Sequence, residues 1–202
     1  MTPPSILFRN AAIPIGVFMS VPPLSAALCP ACGSLLHRSV SLVAAPETVI
    51  SCGNCGLSIA EAELQAKPKH PDEVAKISEI RPMVLRPKGI SPGARVLDRS
   101  AVPHGLRVAD AVMVAEADGP VDAILAVHSL AATADPAALL ARFRQDLVPG
   151  GQLYVEVPAG RVAGFPLTFT KKGLMLLMER MGFRLVTKVR RKGGIAGWFR
   201  RY

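Results

Sequence analysis

The hydrophobic pattern of this chain changes period several times, and the changes mark its elements. From residue 94 onward, short apolar runs take turns with stripes of helical spacing. Ala94-Arg95-Val96-Leu97-Asp98 reads as a buried strand ending in an acid, and Arg107 to Ala115 as a second strand-like run. Val121 to Val127 is an apolar strand bounded by turn residues. A helix is expected next, with Asp135 as N-cap, Pro136 at its first position, and Leu139, Phe143 and Leu147 on one face. Pro149-Gly150-Gly151 is expected to stop it, and Leu153, Val155 and Val157 then alternate with polar neighbours as a strand. Lys171 to Met181 predicts a second helix, capped by Thr170, with Leu174, Leu177, Met178 and Met181 as its core stripe. Phe183 to Val189 and Ile195 to Phe199 read as strands joined at Gly193-Gly194. Strand–helix–strand–helix–strand at this spacing predicts an α/β fold with a mostly parallel sheet and an antiparallel hairpin at its edge.

The region upstream has a different signal. Cys29-Pro30-Ala31-Cys32 and Cys52-Gly53-Asn54-Cys55 are two pairs separated by nineteen residues, the spacing of a four-cysteine zinc ribbon. Two cysteines three apart on a tight turn can face one tetrahedral ion, and Gly33 and Gly56 let the backbone turn back toward the sulfurs. Val40–Val43 and Thr48–Ser51 read as short strands between the pairs. With all four positions filled by thiolates the ion is structural, because no open site remains for a reactive water. Two disulfides or a redox pair are the alternatives.

Between these regions Ala60–Ala66 and Pro71–Ile80 read as helices, and Pro82, Pro87, Gly89, Pro92 and Gly93 break regular structure. The expected organisation is therefore a flexible extension over 1–27, a zinc ribbon over 28–60, a helical and proline-rich linker over 61–93, and an α/β domain over 94–202. The stretch Asn10–Leu28 faintly resembles a signal peptide, but Pro14, Pro22 and Pro23 interrupt it, and a start at Met19 is the simpler reading. No transmembrane segment is expected, and metal-ligating cysteines suit a reducing, cytoplasmic location. Charge sharpens this picture. The net charge is +9, and residues 159–202 carry eleven Lys or Arg against Glu179 alone. Such a basic C-terminal region favours a protein partner or an anionic one, nucleic acid included.

These residues carry a resemblance. The run from Asp122 through His128, Asp135-Pro136, Pro149-Gly150-Gly151 and Glu156-Val157-Pro158, followed by Phe169 to Val186, resembles the C-terminal half of class I S-adenosylmethionine-dependent methyltransferases. The two Cys-x-x-Cys-Gly segments are similar to the zinc ribbon that precedes one branch of that family. The resemblance implies a Rossmann-like methyltransferase sheet, reduced in size, and a cofactor site at the end of the first strand, with Asp98 and Gly105 as what remains of it.

The chain departs from the family there. A Gly-rich loop of the type D-x-G-x-G-x-G should follow the first strand, whereas Asp98 to Gly105 reads DRSAVPHG. The family's second strand ends in an acid that holds the ribose. Asp98 and Asp122 are too close for a strand and two helices, so no residue is expected in that role; Asp110, Glu116 and Asp118 are acids nearby. The leading expectation is a pseudoenzyme: a methyltransferase-like zinc-ribbon protein acting as a binding or scaffold subunit. One alternative is an active methyltransferase with a remodelled site, His128 as general base, Tyr154 and Glu156 as weaker candidates, and His104 lining the loop. Another is an RNA-binding zinc-ribbon protein that stacks bases on Trp198, Phe199 and Tyr202. The shortened sheet should also leave an edge that the Pro71–Ile80 helix, the ribbon or a partner covers.

Overall fold

A computed structural model of the chain describes residues 28–41, 47–65, 83–116 and 118–202. The expected extension 1–27, its start at Met19 and the helix 71–80 lie outside the described residues. In chain order the elements begin with β1 (His37–Ser41), β2 (Glu47–Ser51), β3 (Ser58–Ala60), α1 (Glu61–Gln65) and β4 (Met83–Leu85). Then come β5 (Arg95–Asp98), β6 (Leu106–Val108), β7 (Val112–Val114), β8 (Val121–Val127), α2 (Ser129–Ala132) and α3 (Pro136–Asp146). The last are β9 (Leu147–Pro158), β10 (Leu167–Thr168), α4 (Lys171–Arg180), β11 (Phe183–Arg191) and β12 (Gly194–Arg201).

The main sheet has the order β11-β12-β9-β8-β5-β7. β7, β5, β8 and β9 are parallel, and β12 runs antiparallel to both β9 and β11. This is an α/β, Rossmann-like sheet, not wholly parallel, with the expected hairpin at one edge. Asp135 caps α3 by accepting from Ala138 N at 2.9 Å, and Thr170 caps α4 by accepting from Gly173 N at 3.0 Å. The buried face of α3 is Pro136, Leu140 and Phe143, so Leu140 holds the place expected of Leu139, which is half-buried. Pro149-Gly150-Gly151 is a bulge inside β9 rather than a stop: the register skips from Val121↔Leu147 to Ala123↔Gln152.

The largest difference lies between β5 and β8. The expected run Arg107 to Ala115 is two strands in two sheets. Asp110 breaks it, adopting the left-handed conformation (φ 58°) that short polar side chains tolerate. β6 pairs in parallel with β4, and β7 pairs in parallel with β5. A second strand therefore does fit beside β5, against expectation, because no helix accompanies it. The connection from β7 to β8 is residues 115–120. It must cross two strand spacings and return along a three-residue strand, roughly 14 Å, and six residues reach about 20 Å. Short strands thus remove the need for a long crossover. Among the described residues no strand pairs with the outer edge of β7, where Val112 is 53% exposed.

The cysteine-rich segment is not separate from this sheet. Its strands form a second sheet, β1-β2-β3-β10, whose last member belongs to the α/β region. One continuous core contains Ile50, Leu57 and Ile59 together with Leu174, Leu177 and Phe199. α3, α4 and the cysteine module share one face of the main sheet. On the other face Tyr154, Trp198 and Val127 pack with Val102, Leu106 and Phe165.

Candidate metal centre and cofactor crevice

Cys29, Cys32, Cys52 and Cys55 converge, with all four sulfurs within 4.8 Å of one another. Cys29 Sγ lies 3.5 Å from Cys55 Sγ, and Cys32 Sγ 3.4 Å from Cys52 Sγ. These are far longer than a disulfide bond, and all four are free thiols. They approach the roughly 3.8 Å sulfur–sulfur edge of a tetrahedron with Zn–S bonds of about 2.3 Å. Burial pushes the Cys29 and Cys55 thiols up, so four thiolates packed together need a cation between them. The donor set fits zinc, and the cluster could hold one ion. Gly33 (φ 77°) and Gly56 (φ 73°) take the positive angles the turns require, and their amides donate back to Cys29 O and Cys52 O at 2.8 Å each.

The centre is seated on α4. Thr170 Oγ1 donates to Cys55 O, Lys172 Nζ to Asn54 O at 2.6 Å, and Arg180 Nη1 to Pro30 O at 3.2 Å. A side chain at position 56 would have no room: its Cβ would stand 2.7 Å from the Thr170 methyl, and Thr170 is held by two hydrogen bonds. Gly56→Ala is therefore expected to cost roughly 2–3 kcal/mol, combining the left-handed penalty with a disturbed helix cap. At Gly33 the nearest atom is an Arg180 side-chain nitrogen at 3.6 Å. Gly33→Ala should cost about 1–2 kcal/mol, from the backbone alone. Urea unfolding of both variants checks the difference, and equal losses would contradict the contact at Thr170.

The crevice at the carboxyl ends of β5 and β8, where open α/β sheets place their ligands, has a different character. After Asp98 the chain does not turn away. Arg99 N donates to Leu125 O at 2.8 Å and Ala101 N to Val127 O at 2.9 Å, so the loop continues along β8. Val127 N donates to Ser100 Oγ at 3.0 Å, Ser129 Oγ donates to Arg99 O at 2.5 Å, and Val102 is buried beneath. Ser100 N donates to Asp98 Oδ1 at 3.0 Å. Burial pushes the Asp98 carboxyl up, but hydrogen bonds with His104 and Ser100 outweigh it and hold it below its ordinary value.

His104, expected to line the loop, is its anchor, and its side chain is 2% exposed. Leu106 N donates to its Nδ1 at 3.1 Å, which places the proton of the neutral ring on Nε2. Nε2 then donates to Ser100 Oγ at 2.7 Å and lies 3.2 Å from Asp98 Oδ2. Neither ring nitrogen can take the serine proton, so this Asp, Ser and His group is no nucleophile triad. Gly105 presents its carbonyl to Met83 N at 3.3 Å, at the start of the β4–β6 pair. Glu116, one of the acids noted in this region, stands exposed two residues past the end of β7, a strand that was not expected there.

His128 sits just beyond β8 in the left-handed conformation (φ 59°), 4% exposed, with its ring edge-on to Phe165 at 5.3 Å. Its Nδ1 has no hydrogen-bond partner. Burial lowers its pKa to about 4, against the opposing charge of Glu156, so the ring is neutral at neutral pH. Tyr154 and Glu156 are engaged with each other. Tyr154 Oη donates to Glu156 Oε2 at 2.7 Å, and Arg191 Nε reaches both carboxylate oxygens at 3.1 Å. Burial, with the Glu156 charge, drives the Tyr154 hydroxyl well above its ordinary value. The sequence pattern did not reveal Arg191 as their partner. The base-stacking reading loses its platform, because Trp198 and Phe199 are 2% and 1% exposed; Tyr202 is 67% exposed.

No protein-family model matches the chain, and no curated protein matches it. Among the solved structures that the chain matches over part of its length are several methyltransferases. One is the complex between the Haloferax volcanii Trm112 methyltransferase activator and a methyltransferase, with TM-score 0.38, 14% identity, and coverage of 52% of this chain and 68% of that one. Another is the CurJ carbon methyltransferase, with TM-score 0.40, 14% identity and 55% of this chain covered; the chain spans about half of its length (49%). A third is an S-adenosylmethionine-dependent methyltransferase from Aquifex aeolicus, with TM-score 0.39, 15% identity, and 64% and 88% coverage. The fold and site define an α/β chain with a Rossmann-like sheet joined to a four-cysteine centre. Among the described residues no helix is long and apolar enough to cross a membrane.

Proposed function

We propose that this chain is a methyltransferase-like zinc-ribbon protein without catalysis, acting as a binding or scaffold subunit. The observation that supports this most is the loop Arg99–Ala101, hydrogen-bonded along β8 where a glycine loop would open a cofactor cleft. Residues 28–60 are the zinc ribbon, 61–93 the linker and 94–202 the truncated domain, with 1–27 as an extension. Zinc on Cys29, Cys32, Cys52 and Cys55 is structural, and a reducing, cytoplasmic compartment suits four free thiols. His128, Asp98 and Gly105 are remnants of a site: His128 is buried under Phe165, and Asp98 is engaged by its own loop. The partner is a protein, met through the basic C-terminal region.

One observation favours the alternative of an active, remodelled methyltransferase. Glu116 follows a strand adjacent to β5, which is where a ribose acid would stand. A thermal melt separates the two. A site of 10 μM affinity with 1 mM S-adenosylmethionine would add about 2.7 kcal/mol, or roughly 5–10 °C for a chain of this size. The melting temperature is expected not to move. A rise of several degrees, abolished in Glu116→Ala, would establish the alternative.

A further inference from the structure

Four of the eleven Lys and Arg residues of 159–202 stand around one concavity. α4 and the β11–β12 hairpin enclose a groove of about 500 Å³. Its floor is made by Leu174, Met175, Leu185, Ile195 and Phe199, and its rim by Lys171, Lys188, Arg190 and Lys192. Lys188 pairs with Gly197 and Arg190 with Ile195, so both cations stand on the floor side of the sheet, about 7 Å apart along the strand. Arg191 alternates to the opposite side and meets Glu156. No Asp or Glu lines the groove among the described residues. Lys171 is also the first residue of α4, whose amino end adds partial positive charge.

We infer that this groove binds an acidic amphipathic segment of a partner protein. The inference names the partner class for the binding-subunit reading and rests on it. An apolar floor takes leucine-like side chains, and a rim of one sign takes carboxylates beside them, which is the helix-in-groove mode of recognition. Charge of one sign also steers an acidic partner and disfavours a basic one. Nucleic acid fits less well, because the floor's one aromatic, Phe199, is 1% exposed and Trp198 is buried on the other face, which leaves no open ring to stack on. A membrane surface would need protruding apolar side chains, whereas these line a concavity. The chain's own residues 1–27 carry Arg9 and no acid, so they do not complement the rim.

The test uses the full zinc-loaded chain and a fluorescein-labelled 18-residue peptide with leucines at helical i, i+3, i+4 spacing and glutamates elsewhere. Fluorescence polarisation should show saturable binding in the micromolar range. A scrambled peptide of the same composition, poly-glutamate and a single-stranded RNA of equal charge should each bind at least tenfold more weakly. Lys188→Ala/Arg190→Ala, both exposed, should weaken binding about tenfold without moving the melting temperature. Met175→Glu should weaken it even at high salt, where charge alone is screened. Equal binding of the scrambled peptide, poly-glutamate or RNA would overturn the inference, as would preferential binding to phosphatidylglycerol vesicles or no binding at all. The S-adenosylmethionine melt is run on the same samples. Peptide failure with an unmoved melt overturns the groove alone, and a raised melt overturns the non-catalytic reading.

Discussion

Loading the four-cysteine cluster with zinc and then stripping it with a chelator under reducing conditions is expected to unfold the α/β core along with the cysteine module. The apparent contribution of a structural four-cysteine zinc is about 10–16 kcal/mol, and an ordinary domain has about 5–15 kcal/mol of stability in all. The module cannot come apart privately. Its sheet takes β10 from the α/β region, its carbonyls hold Thr170, Lys172 and Arg180, and Ile50, Leu57 and Ile59 share a core with α4. The chain's one tryptophan reports on this. Trp198 is buried on the sheet face away from the module, packed at 5.4 Å from the Tyr154 ring. Its emission should shift red when the metal is removed and recover when zinc is returned. An unchanged Trp198 signal, with the module's circular dichroism lost, would mean that two independent units are joined by a linker. Cys52→Ser should behave like the chelated protein.

The second large effect is expected at the Glu156–Arg191 pair. Both side chains are nine-tenths buried or more, and the Tyr154 hydroxyl completes the carboxylate's partners. Glu156→Ala removes the acceptor that a buried guanidinium and a buried phenol share. The expected loss is about 3–5 kcal/mol, read as a fall in the denaturation midpoint. Replacing all three groups, as Glu156→Met/Arg191→Met/Tyr154→Phe, should recover most of it, because a buried ion pair gains little over apolar side chains of similar volume and no phenol is left without its acceptor. A single variant that melts like the wild type would show that the pair is not buried in solution. This network also bears on function, because it ties up Glu156 and Tyr154, two side chains eligible by type for acid–base work.

What could be read from the chain follows from how local each signal is. β8, α3, β9, α4 and the closing hairpin were legible because long periodic stripes and caps at Asp135 and Thr170 act within a few residues. The convergence of the four cysteines was legible because their spacing already brings the sulfurs toward one point. Residues 99–116 were not. Asp110 splits one apolar run into two sheets by a single backbone angle, and nothing in RVADAVMVA marks which half pairs with β4 and which with β5. The role of His104 depends on Ser100, Asp98 and the amide of Leu106 meeting around one ring. Such a network is visible only once the loop has closed. An uncovered edge is expected from the short connection and lies at β7, but of its expected covers the ribbon pairs with β10 instead and the Pro71–Ile80 helix lies outside the described residues.

The central claim is that the loop after β5 is closed onto β8 and no longer forms a cofactor cleft. Calorimetric titration of the zinc-loaded chain with S-adenosylhomocysteine tests it most directly. No heat beyond dilution at millimolar ligand, from protein whose Trp198 emission shows it folded, is the predicted result. Saturable binding in the micromolar range would contradict it, and would mean that Arg99–Ala101 leaves β8 to admit the ligand.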